Sequence, residues 1–447
     1  MSTRRAHPKT KFGCADCKRR RIKCDEGRPT CENCRKRSIP CSFQVFDPAQ
    51  QSKTSTSFKS AYEKETPLIH IFSTRKDQDP GAASKDCMSW LEEVQNALLA
   101  DFPAENRSNM RLILRHFISK TVATLSPGTA AQNAWHEALP RLAARDRYVL
   151  NGILAVGYLH ASTLDETASV RENYRDIAAT QMNTGMTQYR TALQSVTTKN
   201  AESLFAFQTM ITTFVFFTSN IECKETLASL RGHHMSDEQR QAGCSTLVLS
   251  VCRTFRSMRG VLVILVPCYH FLRSGVFEPV LERDWWPAPI PVTAEEIEHD
   301  KRLRLLETMW ARPGISYEYS FDTLRSAQKD LRESFALLSR LKDCTFPGDI
   351  PGERTFDWTA VLHWPVQLSL EFMTMLDQQR MEAWVLMAHF AILPNKARFS
   401  PWLDGFAVNM VTTSALVIGE ENWNWIKWPA EVVGVDLKSL HSTVPET

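Results

Sequence analysis

Apolar residues recur at helical spacing through residues 87–447. Trp90, Leu91, Val94 and Leu98 fall on one helical face, and Met110, Ile113, Leu114, Phe117, Ile118 and Val122 form a second stripe that Ser126-Pro127-Gly128 stops. Leu324, Ala327, Leu331, Phe335, Leu338 and Leu341 follow an i, i+3, i+7 pattern. Alternation over the length of a strand is rare. Proline-rich breaks fall at Trp286 to Pro291 and at Phe346-Pro347 to Gly352. Residues 87–447 therefore read as a large all-α helical domain whose helices are joined by irregular loops.

The pattern is absent from residues 45–86. Gln50 to Ser57 and Arg75 to Gly81 are polar and low in complexity, which reads as a flexible linker. Ile69, His70, Ile71 and Phe72 interrupt it and are expected to pack against the helical domain. No sustained heptad follows residue 45, so no coiled coil is expected.

The chain has 447 residues, with 43% hydrophobic and 23% charged. That balance excludes a collagen-like or wholly disordered chain. No unbroken apolar run is longer than Val261 to Val266, which Pro267 closes. It is far short of the roughly 20 residues of a membrane span, so no transmembrane helix is expected. No apolar stretch follows the opening Met-Ser-Thr-Arg-Arg, so no secretory signal is expected either.

Charge changes the picture more than composition does. Residues 1–45 hold 13 Lys and Arg against 4 Asp and Glu, while the remainder is mildly acidic. A basic N-terminal arm on an acidic body implies an anionic partner at that end.

Cysteine is just as lopsided. Six of the 12 cysteines are Cys14, Cys17, Cys24, Cys31, Cys34 and Cys41. Their spacing, Cys-x2-Cys-x6-Cys, occurs twice, and Ile22 matches Ile39 in the repeat. Without an export signal, clustered cysteines bind metal more often than they pair as disulfides. Structural zinc takes four ligands and prefers thiolate. Two zinc ions need eight bonds, which six thiolates supply if two of them bridge. The repeat suggests Cys14 and Cys31, the first cysteine of each half, as the bridges. Six thiolates and two zinc ions leave two negative charges, which nearby cations would offset.

Each Cys-x2-Cys can open a short helix. Between Cys17 and Cys24 stand Lys18, Arg19, Arg20, Arg21 and Lys23, clustered on one or two helical turns. Such a helix can enter a major groove, where Arg and Lys read guanine O6 and N7 and further cations hold phosphates. A zinc-dependent protein-interaction module without DNA readout is the alternative.

Residues 14–41 resemble the fungal binuclear zinc cluster of transcription regulators. The likeness rests on all six cysteines, the basic run after the second, Lys23-Cys24-Asp25, and Pro29. The resemblance implies two zinc ions per chain and a DNA-binding domain over residues 1–44. It implies base contacts from Arg20 and Arg21, a CGG triplet in double-stranded DNA, and a nuclear location. Relatives often dimerise through a coiled coil; here a monomer, or a homodimer formed through the helical body, takes its place.

More loosely, Leu112 to Leu125, Tyr148 to Ala155, Leu204 to Phe207, Arg380 to Leu393 and Trp423 to Pro429 resemble the helical regulatory domain of sterol uptake control proteins. That likeness implies dimerisation and a small apolar ligand. A chain of this kind resembles regulators of secondary-metabolite gene clusters, with sterol synthesis and uptake genes as the alternative target.

No catalytic signature is present: there is no Walker loop, dinucleotide glycine pattern or HExxH. The chain is not expected to be an enzyme. His233-His234 are expected in a polar loop between Arg231 and Gly243 rather than as a metal pair. The scattered cysteines, and Trp402, Trp423, Trp425 and Trp428, are expected as core residues.

Overall fold

The computed structural model describes residues 17, 20, 22–25, 31–37, 95–126, 128–231, 236–281, 290–311, 318, 320–341, 358–396 and 400–443. The chain divides into two units, one holding the cysteine-rich segment and the other nearly all of the helices. Every regular element among the described residues is a helix, and no strand occurs there.

The cysteine segment contributes one short helix, α1 (Glu32–Arg35). The body then runs through α2 (Ala104–His116), a π-helical turn (Phe117–Thr121) and α3 (Val122–Leu125). Next come α4 (Thr129–Arg145), α5 (Arg147–Leu164), α6 (Ala168–Leu193), α7 (Ala201–Leu230), α8 (Asp237–Gly260) and α9 (Leu262–Arg273). After α10 (Glu278–Leu281) follow α11 (Ala294–Leu305), α12 (Ser320–Leu341), α13 (His363–Gln367), α14 (Leu370–Asp377) and α15 (Met381–Phe390). The last are α16 (Ile392–Asn395), α17 (Phe406–Ile418) and α18 (Lys427–Val433).

The central element is α7. It packs against α4, α5, α8, α9 and α17. By length and composition it could cross a membrane, which the short apolar runs of the sequence did not suggest. However, 61% of its apolar window is buried within the body, as expected of a core helix. Its hydroxyls escape burial costs by bonding backward: Thr209 donates to Phe205 O and Thr213 to Thr209 O.

The predicted stripes are buried. Met110, Ile113, Leu114, Phe117 and Val122 face the core, and the helix stops at Leu125 with Gly128 at a φ of 92°. Leu324, Ala327, Leu331, Phe335 and Leu338 form the inner face of α12, where the Trp364 indole donates to Ala327 O at 2.7 Å. In the first stripe Leu98 is half-buried; Trp90, Leu91 and Val94 lie outside the described residues.

Helix α9 runs through Pro267, giving up one backbone hydrogen bond while Leu262, Ile264, Cys268 and Leu272 stay buried. The polar loop after Arg231 is shorter than expected. Helix α8 already begins at Asp237, because Ser236 and Gln239 close a reciprocal capping box. His233-His234 lie outside the described residues, as do the linker, Cys87 and Cys344. The π-helical turn at Phe117 had no expectation at all.

Of the scattered cysteines, Cys223, Cys252 and Cys268 are buried and Cys244 half-buried. Burial pushes the Cys223 and Cys252 thiols up to about 12, so both behave as neutral core residues. Trp402 is buried, its indole donating to Thr124 Oγ1 at 3.0 Å, and Trp423, Trp425 and Trp428 pack against the core.

Candidate metal centre and nucleic-acid interface

The backbone explains why the second Cys-x2-Cys gathers its sulfurs. Cys31 is extended at ψ 151°, and the chain then turns into α1. The Cys31 carbonyl accepts from Cys34 N–H at 3.1 Å and from Arg35 N–H at 2.9 Å. Residues three apart on a helical turn share a face, which places Cys31 and Cys34 on one side of this turn. In the first half Cys17 is helical, and its carbonyl accepts from Ile22 N–H at 3.1 Å.

Cys17, Cys24, Cys31 and Cys34 are all buried, none more than 1% exposed. The sulfurs of Cys17, Cys24 and Cys31 lie within 4.8 Å of one another. Cys17 Sγ and Cys31 Sγ stand 3.6 Å apart. A disulfide would need about 2.05 Å. Tetrahedral zinc with bonds of about 2.3 Å places its sulfurs about 3.8 Å apart. The donor set therefore fits zinc, and it draws two cysteines from the first half and one from the second.

Two side chains hold the halves together. The Asp25 carboxylate accepts from the Glu32 backbone N–H, with both oxygens in reach at 3.0 and 3.1 Å. Asn33 Nδ2 donates to Lys23 O at 2.8 Å. The first satisfies a donor at the start of α1 that would otherwise lack an intrahelical partner. Sequence reasoning missed Asp25 and Asn33 as structural residues; the only signal was a carboxylate directly after Cys24.

The cations divide. Arg20 is half-buried, with Nη2 donating to Cys34 Sγ at 3.8 Å. Lys23 is exposed, as are Arg35, Lys36 and Arg37. Glu32 accepts from Arg35 at 2.7 Å, and that guanidinium holds the Glu32 carboxyl below the usual carboxylate range. Cys14, Cys41, Lys18, Arg19 and Arg21 lie outside the described residues.

Residues 12–50 match the fungal Zn(2)-Cys(6) binuclear cluster domain, and residues 111–263 match the fungal specific transcription factor domain. The chain is 23% identical to a Zn(2)-C6 fungal-type transcription factor of Gibberella zeae, over 98% of this chain and 89% of that protein. It is 24% identical to the Zn(2)-C6 fungal-type transcription factor afumD of Aspergillus fumigatus, over 65% of this chain and 64% of that protein. It is 32% identical to sterol uptake control protein 2 of Saccharomyces cerevisiae, over 24% of this chain and 14% of that protein. No solved structure matches the chain.

Zinc cluster, helical body and relatives agree in class, and they are those of a transcription factor rather than an enzyme. The chain carries a fungal Zn(2)-Cys(6) cluster domain, which binds two zinc ions, and a fungal specific transcription factor domain, and the relatives it resembles are Zn(2)-C6 transcription factors.

Proposed function

We propose that this protein is a nuclear, sequence-specific DNA-binding regulator of RNA polymerase II transcription that reads CGG-containing promoter sites. The observation that carries the reading is the sulfur cluster itself. Buried sulfurs of Cys17, Cys24 and Cys31 converge on one point, with Arg20 held on Cys34 and Lys23 exposed beside them. In this reading all six cysteines, Cys14 and Cys41 included, hold the two zinc ions, with Cys14 and Cys31 bridging. Arg20 and Arg21 meet guanine edges, and Lys18, Arg19 and Lys23 hold phosphates.

Residues 1–44 form the DNA-binding unit, 45–86 the tether and 87–447 the regulatory body. The body supplies homodimerisation and response to a small apolar effector, and the regulator acts as an activator. The target is a secondary-metabolite gene cluster, a reading that rests on the chain's resemblance to regulators of such clusters. The partial likeness to a sterol uptake control protein favours a second reading, control of sterol synthesis and uptake genes.

Chromatin occupancy of the tagged protein, with Cys14→Ala as control, tests both. Peaks over CGG-bearing promoters within one contiguous gene set support the first reading, and peaks dispersed over sterol genes the second. Peaks that persist in the control, or none in any growth condition, leave the zinc cluster as a protein-interaction module.

A further inference from the structure

Of the eleven large apolar side chains exposed among the described residues, four stand between residues 290 and 305: Ile290, Val292, Ile297 and Leu305. Exposed side chains scattered singly are ordinary, but a cluster of them marks a contact surface. Two of the four are on α11, Ile297 at 53% and Leu305 at 60% exposed. Lys301, also exposed, stands between them, four residues from each. Positions four and eight apart fall close to one line along a helix, so the three form a ridge. The opposite side of α11 is its inner face, where Leu303 is fully buried and the helix packs against α12. The ridge therefore points away from the body.

Charge is divided along the same helix. Glu295, Glu296, Glu298 and Asp300 precede Lys301, Arg302 and Arg304. Two copies of α11 side by side and parallel would set like charges together, whereas antiparallel copies set acidic against basic. A two-fold axis between antiparallel helices also sets each flank against the same flank of the other copy. Glu298 and Arg302 stand on one flank of the ridge, and Asp300 and Arg304 on the other. Each flank is thus complementary to itself. Within one chain these residues form only i,i+4 pairs, Glu298–Arg302 at 3.0 Å and Asp300–Arg304 at 2.7 Å. Pairs of this kind are weak enough to be shared with a second copy. The Arg302 guanidinium also lies 5.3 Å from the centre of the Trp428 ring, which fixes it beside the ridge.

We propose that α11 is a dimer contact, its ridge packing antiparallel against α11 of a second copy of this chain. Centred on Lys301, the pairing sets Ile297 of each copy against Leu305 of the other, and Glu298 beside Arg302 of the second copy. Lys301 meets its own counterpart, so its stem covers the apolar ridge and its ammonium turns to Glu298 of the second copy. Val292 extends the patch at each end. A helix of this length spans about 18 Å, and one such pair falls short of the about 1,200–2,000 Å² that stable interfaces bury. The contact is therefore reversible and shows as a monomer–dimer equilibrium. The proposal rests on the homodimerisation assigned to the body, which it places at one helix.

Sedimentation equilibrium of the full, zinc-loaded chain tests it. We expect a concentration-dependent dimer. Glu298→Arg and Arg302→Glu should each weaken it at least tenfold, because each sets like charges against one another across the two-fold axis. An equimolar mixture of the two variants should recover the dimer, because every crossing pair is then opposite in sign. Leu305→Lys should weaken association as well. Its side chain is exposed, so it provides the same test should a charge variant fail to fold, which tryptophan-monitored melting reads. Association unchanged in all three variants overturns the α11 contact and leaves homodimerisation to another surface. A mixture that associates no better than its separate components overturns the antiparallel pairing. A chain that stays monomeric at every accessible concentration overturns both this contact and the homodimerisation on which it rests.

Discussion

Arg20 Nη2 donates to Cys34 Sγ at 3.8 Å, tying a cation of the first cysteine repeat to a sulfur of the second. A two-zinc, six-thiolate cluster carries a net charge of −2, so a guanidinium beside one sulfur offsets part of it. Donors to a metal-bound sulfur tune metal affinity. Arg20 is also one of the two side chains proposed to read bases, and five guanidinium donors permit both tasks. Arg20→Ala should therefore release zinc to a chelator several-fold faster in DNA-free protein. It should also cost about 1–3 kcal/mol on a CGG site. Arg20→Lys should recover part of the zinc retention and less of the base preference, because Lys lacks the planar fork. Unchanged zinc release in Arg20→Ala would reduce Arg20 to a DNA contact.

Asp25 links the halves in a different way. Its carboxylate caps the start of α1 through the Glu32 N–H, so it fixes the turn that brings Cys31 and Cys34 together. Asp25→Ala should lose about 1 kcal/mol, the usual worth of a side-chain cap. Asp25→Asn, which still presents an acceptor, should lose less. Hydrogen exchange at the Glu32 amide, followed in zinc-loaded protein, reads the cap directly. Protection that survives Asp25→Ala would show that the metal alone orders this turn.

Much of this was legible in the sequence, for physical reasons. The doubled Cys-x2-Cys-x6-Cys spacing showed the zinc cluster because few other uses of six cysteines require that repeat. The α12 stripe was visible because Leu324, Ala327, Leu331, Phe335 and Leu338 face one way along a helix with a polar back. Helix α7 was harder to see. It is apolar nearly all round, so Phe205, Phe207, Met210, Phe216 and Phe217 reach the core in several directions and leave no single stripe. The Arg20 contact was unreadable, because it depends on how the two halves fold onto each other.

Helix α6 approaches its neighbours at a glycine. A Cβ placed on Gly185 would stand 2.8 Å from Phe207 Cζ and 3.2 Å from Asn151 Cβ. Phe207 is itself wedged against Tyr148 and Tyr189, with ring centroids 5.3 and 5.0 Å away, so it has little room to retreat. Gly185→Ala should therefore destabilise the body by about 1–3 kcal/mol, despite the helix propensity gained. Gly243 in α8 provides the contrast. There the clash would be with Leu230 Cδ2, the movable end of a flexible side chain. Gly243→Ala should be close to neutral or stabilising. Urea midpoints of the two variants rank the sites, and an equal loss at both would count against a rigid Phe207.

Stability of the body should fall as the solution is acidified below neutrality. Burial holds His160, His363 and His389 at about 4, with His116 and Lys120 adding to the effect at His160. An unfolded histidine titrates near 6.5. Between these values the unfolded chain binds three protons that the folded one does not. Asp330 opposes them: burial, with Glu333 adding to it, raises its carboxyl to about 7, so over the same range the folded chain holds the extra proton. The balance for these four groups is a net uptake of two protons on unfolding. The slope is about 1.4 kcal/mol per pH unit for each proton, and the stabilisation is fully present above 6.5 and lost as pH falls towards 4. All 12 tryptophans lie at or beyond residue 90, so their fluorescence follows the body and not the zinc cluster. Urea unfolding read by tryptophan between pH 7 and 5 should give that slope. His160→Gln, which cannot titrate, should reduce it by one proton, while Asp330→Asn should steepen it by one. A flat profile in the unmodified chain would mean that these histidines are protonated in place.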